Sequence, residues 1–152
     1  MTYTNVEGRQ QLLDALAEAV DDIGLALAAL SAAYEQLDLA TADKLEEELF
    51  GPVQLAYGRA KRTYAAFADR HGLETRTFEA QAAGLPSTGA KGFIDNAVAE
   101  VSSASGTLAT LQDSPMLLEV GDIELRKGVV EIRELIGDLP RRARELVRRL
   151  GR

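Results

Sequence analysis

Cysteine and tryptophan are absent from the 152 residues, histidine occurs once (His71), and proline occurs four times. Without a thiol there is no disulfide, no thiolate nucleophile, no iron–sulfur ligation and no thiolate zinc site. A carboxylate-bridged metal pair in a helical bundle needs inward glutamates and two Glu-x-x-His pairs, and no Glu-x-x-His occurs. Glu18, Asp21 and Asp22 fall opposite or beside the apolar stripe of their segment, and Glu46–Glu48 fall in the first turns of theirs, as expected of a solvated face. Neither a metal nor a cofactor is expected. His71 precedes Gly72, where an imidazolium complements the end of a helix dipole, and no serine is spaced to join it in a nucleophilic triad. No catalytic residue is therefore assigned, and the sequence leans away from an enzyme.

Long apolar runs are missing as well. The longest uncharged helical stretch, Ile23 to Tyr34, is twelve residues, short of the roughly 20 that span a bilayer. The start of the chain lacks a basic region followed by an apolar one. These absences point to a cytoplasmic protein with no membrane span. The net charge of −7 argues against a nucleic-acid binder, because phosphate contacts need a basic surface. The charge is unevenly spread. Residues 1–50 carry eleven acidic and two basic side chains, whereas residues 139–152 carry six arginines and one glutamate.

What is present is helical period. In the first segment Leu13, Leu16, Val20, Ile23, Leu27, Leu30, Tyr34 and Leu37 recur three and four apart, the signature of a helix packed on other helices. The spacing predicts a helix from near Asn5 to near Asp38. A second segment begins at Thr41 as N-cap and carries Leu45, Leu49, Val53, Ala56, Ala60, Tyr64 and Phe67 inward, to a C-cap at Gly72. Pro52 inside it predicts a kink, or a split at Gly51. Residues 73–88 lose the period and read as a long connection with a helical turn at Glu79–Ala83. A third helix is expected over Gly89–Gln112. A fourth starts after Asp122, with Leu125, Val129, Ile132, Ile136, Leu139, Ala143, Leu146 and Leu150 inward and a bend at Gly137 and Pro140, where Asp138 could cap a separate last helix. No segment has the period-two pattern of a strand.

The expected fold is therefore all-α, a single domain over residues 1–152. It reads as a four-helix bundle in up-down-up-down antiparallel order, with a long loop between the second and third helices. That order puts the arginine-rich end of the fourth helix beside Glu7 and Asp14 at the start of the first.

Two surfaces carry functional expectations. Tyr57, Lys61 and Tyr64 share one helix face. Ser87, Thr88 and Lys91 stand at a helix start within a glycine-rich stretch, where free amides favour an anion. Gly84 to Gly92 departs from a nucleotide-binding loop, since Gly92 replaces the Ser/Thr that would hold magnesium and no strand precedes it. Together these six residues suggest a small-molecule pocket between helices two, three and four under the 73–92 loop. The other surface is Ile23–Tyr34, which is small or apolar all round and so needs cover on more than one side. Gly24, Ala26, Ala29 and Ala33 are the residues expected at a homodimer interface through the first helix. Association without catalysis is the first reading of function, and a ligand-binding bundle is the alternative.

Overall fold

The computed structural model describes residues 5–150, and every described element is helical. α1 spans Asn5–Glu35, α2 Leu39–Leu45, α3 Gly51–His71, α4 Gly89–Asp113, α5 Pro115–Val120, α6 Ile123–Ile136 and α7 Leu139–Leu150. A π-helical turn, Glu46–Phe50, joins α2 to α3, and a 3-10 turn, Pro86–Thr88, precedes α4.

The caps explain where these helices stop and start. α1 ends three residues short of the predicted Asp38 because Asp38 caps the next helix. Its backbone is extended and its carboxylate accepts from the Thr41 amide at 2.9 Å and the Thr41 hydroxyl at 2.9 Å. The N-cap is thus Asp38, not Thr41. The interruption expected at Pro52 is a π turn, after which α3 begins at Gly51. The chain stays helical from Leu39 to His71, and the irregularity is absorbed by the π turn, where the Gly51 amide bonds to the Glu46 carbonyl. Proline has no N–H for the carbonyl four residues back. That carbonyl, of Glu48, accepts from Arg142 of α7 at 3.3 Å. Gly72 closes α3 in the left-handed conformation (φ 63°) as expected. The turn expected at Glu79–Ala83 is not formed. α5 was not foreseen: Ser114 caps it by accepting from the Met116 amide at 3.2 Å.

α1 lies between α3 on one side and α4 on the other, and α6 with α7 lies against α3 and α4. Leu13, Leu16, Ile23, Phe67, Ile94 and Leu125 are among the fully buried side chains of one continuous core. The alternating order expected from the sequence does not hold. α3 follows α1 through a short turn and runs antiparallel to it, bringing Tyr57 against Gly24. α4 is also antiparallel to α1, since its far end, Leu111 to Ser114, lies beside Gln11 and Leu12. Thus α3 and α4 point the same way, and they scarcely touch. The arginine-rich α7 packs on α4, the π turn and α2 rather than on the start of α1. Arg142 reaches Glu48, while Arg141 pairs with Asp138 and Glu145 within its own helix region. Asp14 instead accepts from Gln10 of its own helix.

Parallel α3 and α4 require the chain to return the full length of the molecule, and residues 73–85 do so as an extended strap. The Gln10 side chain donates to Glu74 O, Arg76 pairs with Asp21, Gln81 rests on Gly24, and the Gln36 side chain donates to Pro86 O. From Gln10 to Gln36 the helix rises about 39 Å at roughly 1.5 Å per residue. The chain from Glu74 to Pro86 reaches at most about 43 Å when stretched. The strap is long because the topology demands it, and it has little slack.

Candidate functional site

On α3, Tyr57, Lys61 and Tyr64 lie on one face, as their spacing requires. The Lys61 ammonium sits 4.3 Å above the centre of the Tyr57 ring. Tyr64 is buried, and its hydroxyl accepts the Arg76 amide at 3.0 Å. Its ring meets Phe78 of the strap edge-on, with centroids 4.9 Å apart. The Arg76 guanidinium lies over Phe78 at 4.6 Å and pairs with Asp21. The hydrogen bond that Arg76 donates to Asp21 is the main reason the Arg76 pKa is raised above the ordinary arginine value. The strap therefore uses the tyrosine face as its anchorage. What remains is an open cleft of about 720 Å³, with Lys61, Asp69 and Arg76 on its walls.

Ser87, Thr88 and Lys91 are not part of this cleft. All three are exposed at the opposite end of the strap, near Gln36, and Lys91 is paired with Asp95 at 3.0 Å. Thr88 makes no side-chain cap to α4. The pocket expected between the second, third and fourth helices is instead filled: Phe67 from α3, Ile94 and Leu108 from α4, and Leu125 and Ile132 from α6 belong to the closed core. The six residues form two separate groups because the strap that joins them is stretched rather than folded over them.

The interface residues of α1 are also relocated. Ala26, Ala29 and Ala33 are buried within the chain. Gly24 lies under Tyr57 and Gln81, and a Cβ there would stand 3.2 Å from the tyrosine ring. One side of Ile23–Tyr34 is covered by α3 and α4, while Leu27 and Ala28 stay half-buried and Tyr34 exposed. Ala26, Ala29 and Ala33 thus face the core, and Gly24 of the four is half-buried at a groove.

A further cluster joins the far end of α3 to the start of α6. Asp122 caps α6 by accepting from the Leu125 amide at 2.8 Å. Its carboxylate also receives both arms of Arg70, at 2.8 and 2.9 Å, and stands 2.8 Å from His71 Nε2. Partial burial pushes its pKa up, but the Arg70 bonds, the Leu125 amide and His71 outweigh that and hold the carboxyl well below the ordinary carboxylate range. His71 also packs on the Phe67 ring at 4.7 Å. Both caps were legible in the sequence, at Gly72 and Asp122. That the last turn of one helix reaches the cap of another was not, because nothing local marks which cap a cation will meet. This cluster is a latch between helices: its imidazole is committed to Asp122 and no nucleophile adjoins it.

Among the described residues, no three carboxylate or imidazole side chains come together to hold a metal ion, and no helix is long and apolar enough to cross a membrane. No protein family, curated protein or solved structure matches the chain.

Proposed function

We propose that this is a non-catalytic helical bundle that works by binding a protein surface, a second copy of itself in the first instance. In this reading α1, the α2–α3 arm, α4 and the α6–α7 arm are the four helices of a bundle with one long crossover connection, and all neighbours are antiparallel. The observation that carries the association reading is where the large apolar side chains stay exposed. Leu39 (76% exposed) and Leu85 (73%) lie at the end where Gln36 holds Pro86. Leu118 (74%) and Ile123 (58%) lie near the opposite end, where Arg9 donates to Val120 O. Leu55 and Val130 are exposed along the sides of α3 and α6, but the most exposed bulky side chains lie at the two ends, which favours end-on contact rather than the helix-one face first expected. His71, Asp122, Tyr64 and Arg76 are committed to structural partners, which favours binding over turnover.

Sedimentation of the full chain from about 1 to 100 µM tests this, over the range in which ordinary protein contacts form. A dimer that is lost in Leu39→Glu with Leu85→Glu, or in Leu118→Glu, supports end-on association and says which end is used. A monomer across the whole range, in the native chain as in the variants, removes self-association.

A further inference from the structure

The strap does not fill the groove that it crosses. Between α1 and α3, Gly24, Leu27, Ala28, Phe50 and Tyr57 border a space of about 270 Å³ beside Ala80 and Gln81. Past Ser31 and Phe50 it adjoins a second space, also about 270 Å³, bounded by Tyr34 and Glu46. Its depth follows from side-chain size. α1 offers glycine and alanine, and the strap carries Ala80, Ala82, Ala83 and Gly84 along this stretch. The walls hold three aromatic rings. The two ring–ring contacts among the described residues involve other rings, so the faces of these three are not spent on one another.

The groove is also polarised. At one end Tyr57 is capped by the Lys61 ammonium. At the other, Glu46 and Phe50 come from the two ends of the π turn. A turn closed by a bond five residues long carries residues four apart round to nearly the same side. The Glu48 carboxylate faces Arg142, whereas Glu46 enters none of the ion pairs among the described residues. A carboxylate lining one space with two aromatic rings, on a chain of net charge −7, is chemistry that selects a cation: the rings attract positive charge through their faces and the carboxylate supplies the counter-charge.

We propose that this groove binds an apolar organic amine, with its hydrocarbon body along Leu27, Ala28 and Phe50 and its ammonium group between Tyr34, Phe50 and Glu46. The site is independent of the end-on association above, because neither Leu39, Leu85 nor Leu118 borders it. It also differs from the pocket read from the sequence, lying between α1 and α3 rather than between the second, third and fourth helices.

The test is a titration of the full chain with hexylammonium, hexan-1-ol and hexanoate, followed by NMR of the aromatic side chains. Saturable shifts of Tyr34 and Phe50 are expected with hexylammonium. Binding should be about five-fold weaker or more for the alcohol, and absent for the carboxylate. Glu46→Gln should bring the amine down to the affinity of the alcohol. Ala28→Leu should remove both by filling the groove. Glu46 is exposed, so its variant keeps the fold and the comparison stays decisive even if Ala28→Leu perturbs packing. Equal binding of amine and alcohol, shifts that never saturate or fall on other residues, or an amine affinity unchanged in Glu46→Gln would overturn the proposal.

Discussion

The two seams of α3 are built in opposite ways. Against α6, the helices touch directly. Gly128 faces Thr63, a Cβ on the glycine would lie 2.5 Å from the threonine methyl, and the seam ends in the Asp122 latch. Against α1, the upper part of the seam is parted by small side chains and covered by the strap, and Gly24 has 3.2 Å to the nearest ring atom. Both seams contain a mid-helix glycine, but only one glycine is there for close approach of backbones. A helix glycine costs up to about 1 kcal/mol against alanine, so an alanine substitution separates the two cases by sign.

The largest effect is expected at the tight seam. Gly128→Val should cost about 3 kcal/mol in thermal or denaturant unfolding, because the side chain has no room beside Thr63. Gly128→Ala should cost less and be partly restored by Thr63→Ala. Gly24→Ala should be close to neutral, since the gain in helix propensity offsets a small shift of Tyr57. If both alanine variants prove neutral, the contrast between the seams is wrong.

Next is the latch. Asp122→Ala should cost about 2 kcal/mol at neutral pH, combining a lost N-cap with lost bonds to a charged group. The sign with pH follows from the depressed folded value. The stabilisation is fully present above the unfolded aspartate value of about 4 and is lost as pH falls through the lower folded value. Native protein and variant should therefore converge as pH falls below about 4. A gap that widens in acid would contradict the assignment.

The smallest effect is expected in the strap, and it sharpens the comparison from the looser side. Deleting Ala82 and Ala83 removes about 7 Å of reach and should cost about 1 kcal/mol through the Gln36–Pro86 contact and the Phe78 anchor. Inserting two glycines at the same place should change stability by only a few tenths, because loop closure depends weakly on length. Hydrogen exchange of the α4 start, measured on both variants, checks which contact gives way. Equal tolerance of deletion and insertion would mean that the strap is slack.

Much of the helical content was legible because its causes lie within one or two turns of chain. The stripes of the second and fourth segments, Leu45 to Phe67 and Leu125 to Leu150, are the faces that became buried, save for the half-buried Leu150. The caps at Gly72 and Asp122 and the break at Gly137 were also correctly placed. The misses share a cause. Asp38 and Thr41 are both acceptable caps, and only the end of α1 decided between them. Pro52 marked the irregularity that ends at Gly51, but not that it takes the form of a π turn or that Arg142 donates to the Glu48 carbonyl. Ala26, Ala29 and Ala33 looked like surplus apolar surface because α3 and α4, the helices packed on α1, come from later in the chain.

By itself, then, the sequence determined that the chain is helical, which face of each helix is apolar, and which thiol and histidine chemistries it lacks, since composition and short-range periodicity contain those facts. The tertiary structure decided that α4 lies along α1 and points the same way as α3, that Arg70 and His71 meet the cap of α6, and that the strap leaves a groove beside Phe50. Each of these depends on which apolar face meets which. Helical faces of similar shape offer several pairings, and the choice is made by core packing over the whole chain rather than by any segment of it.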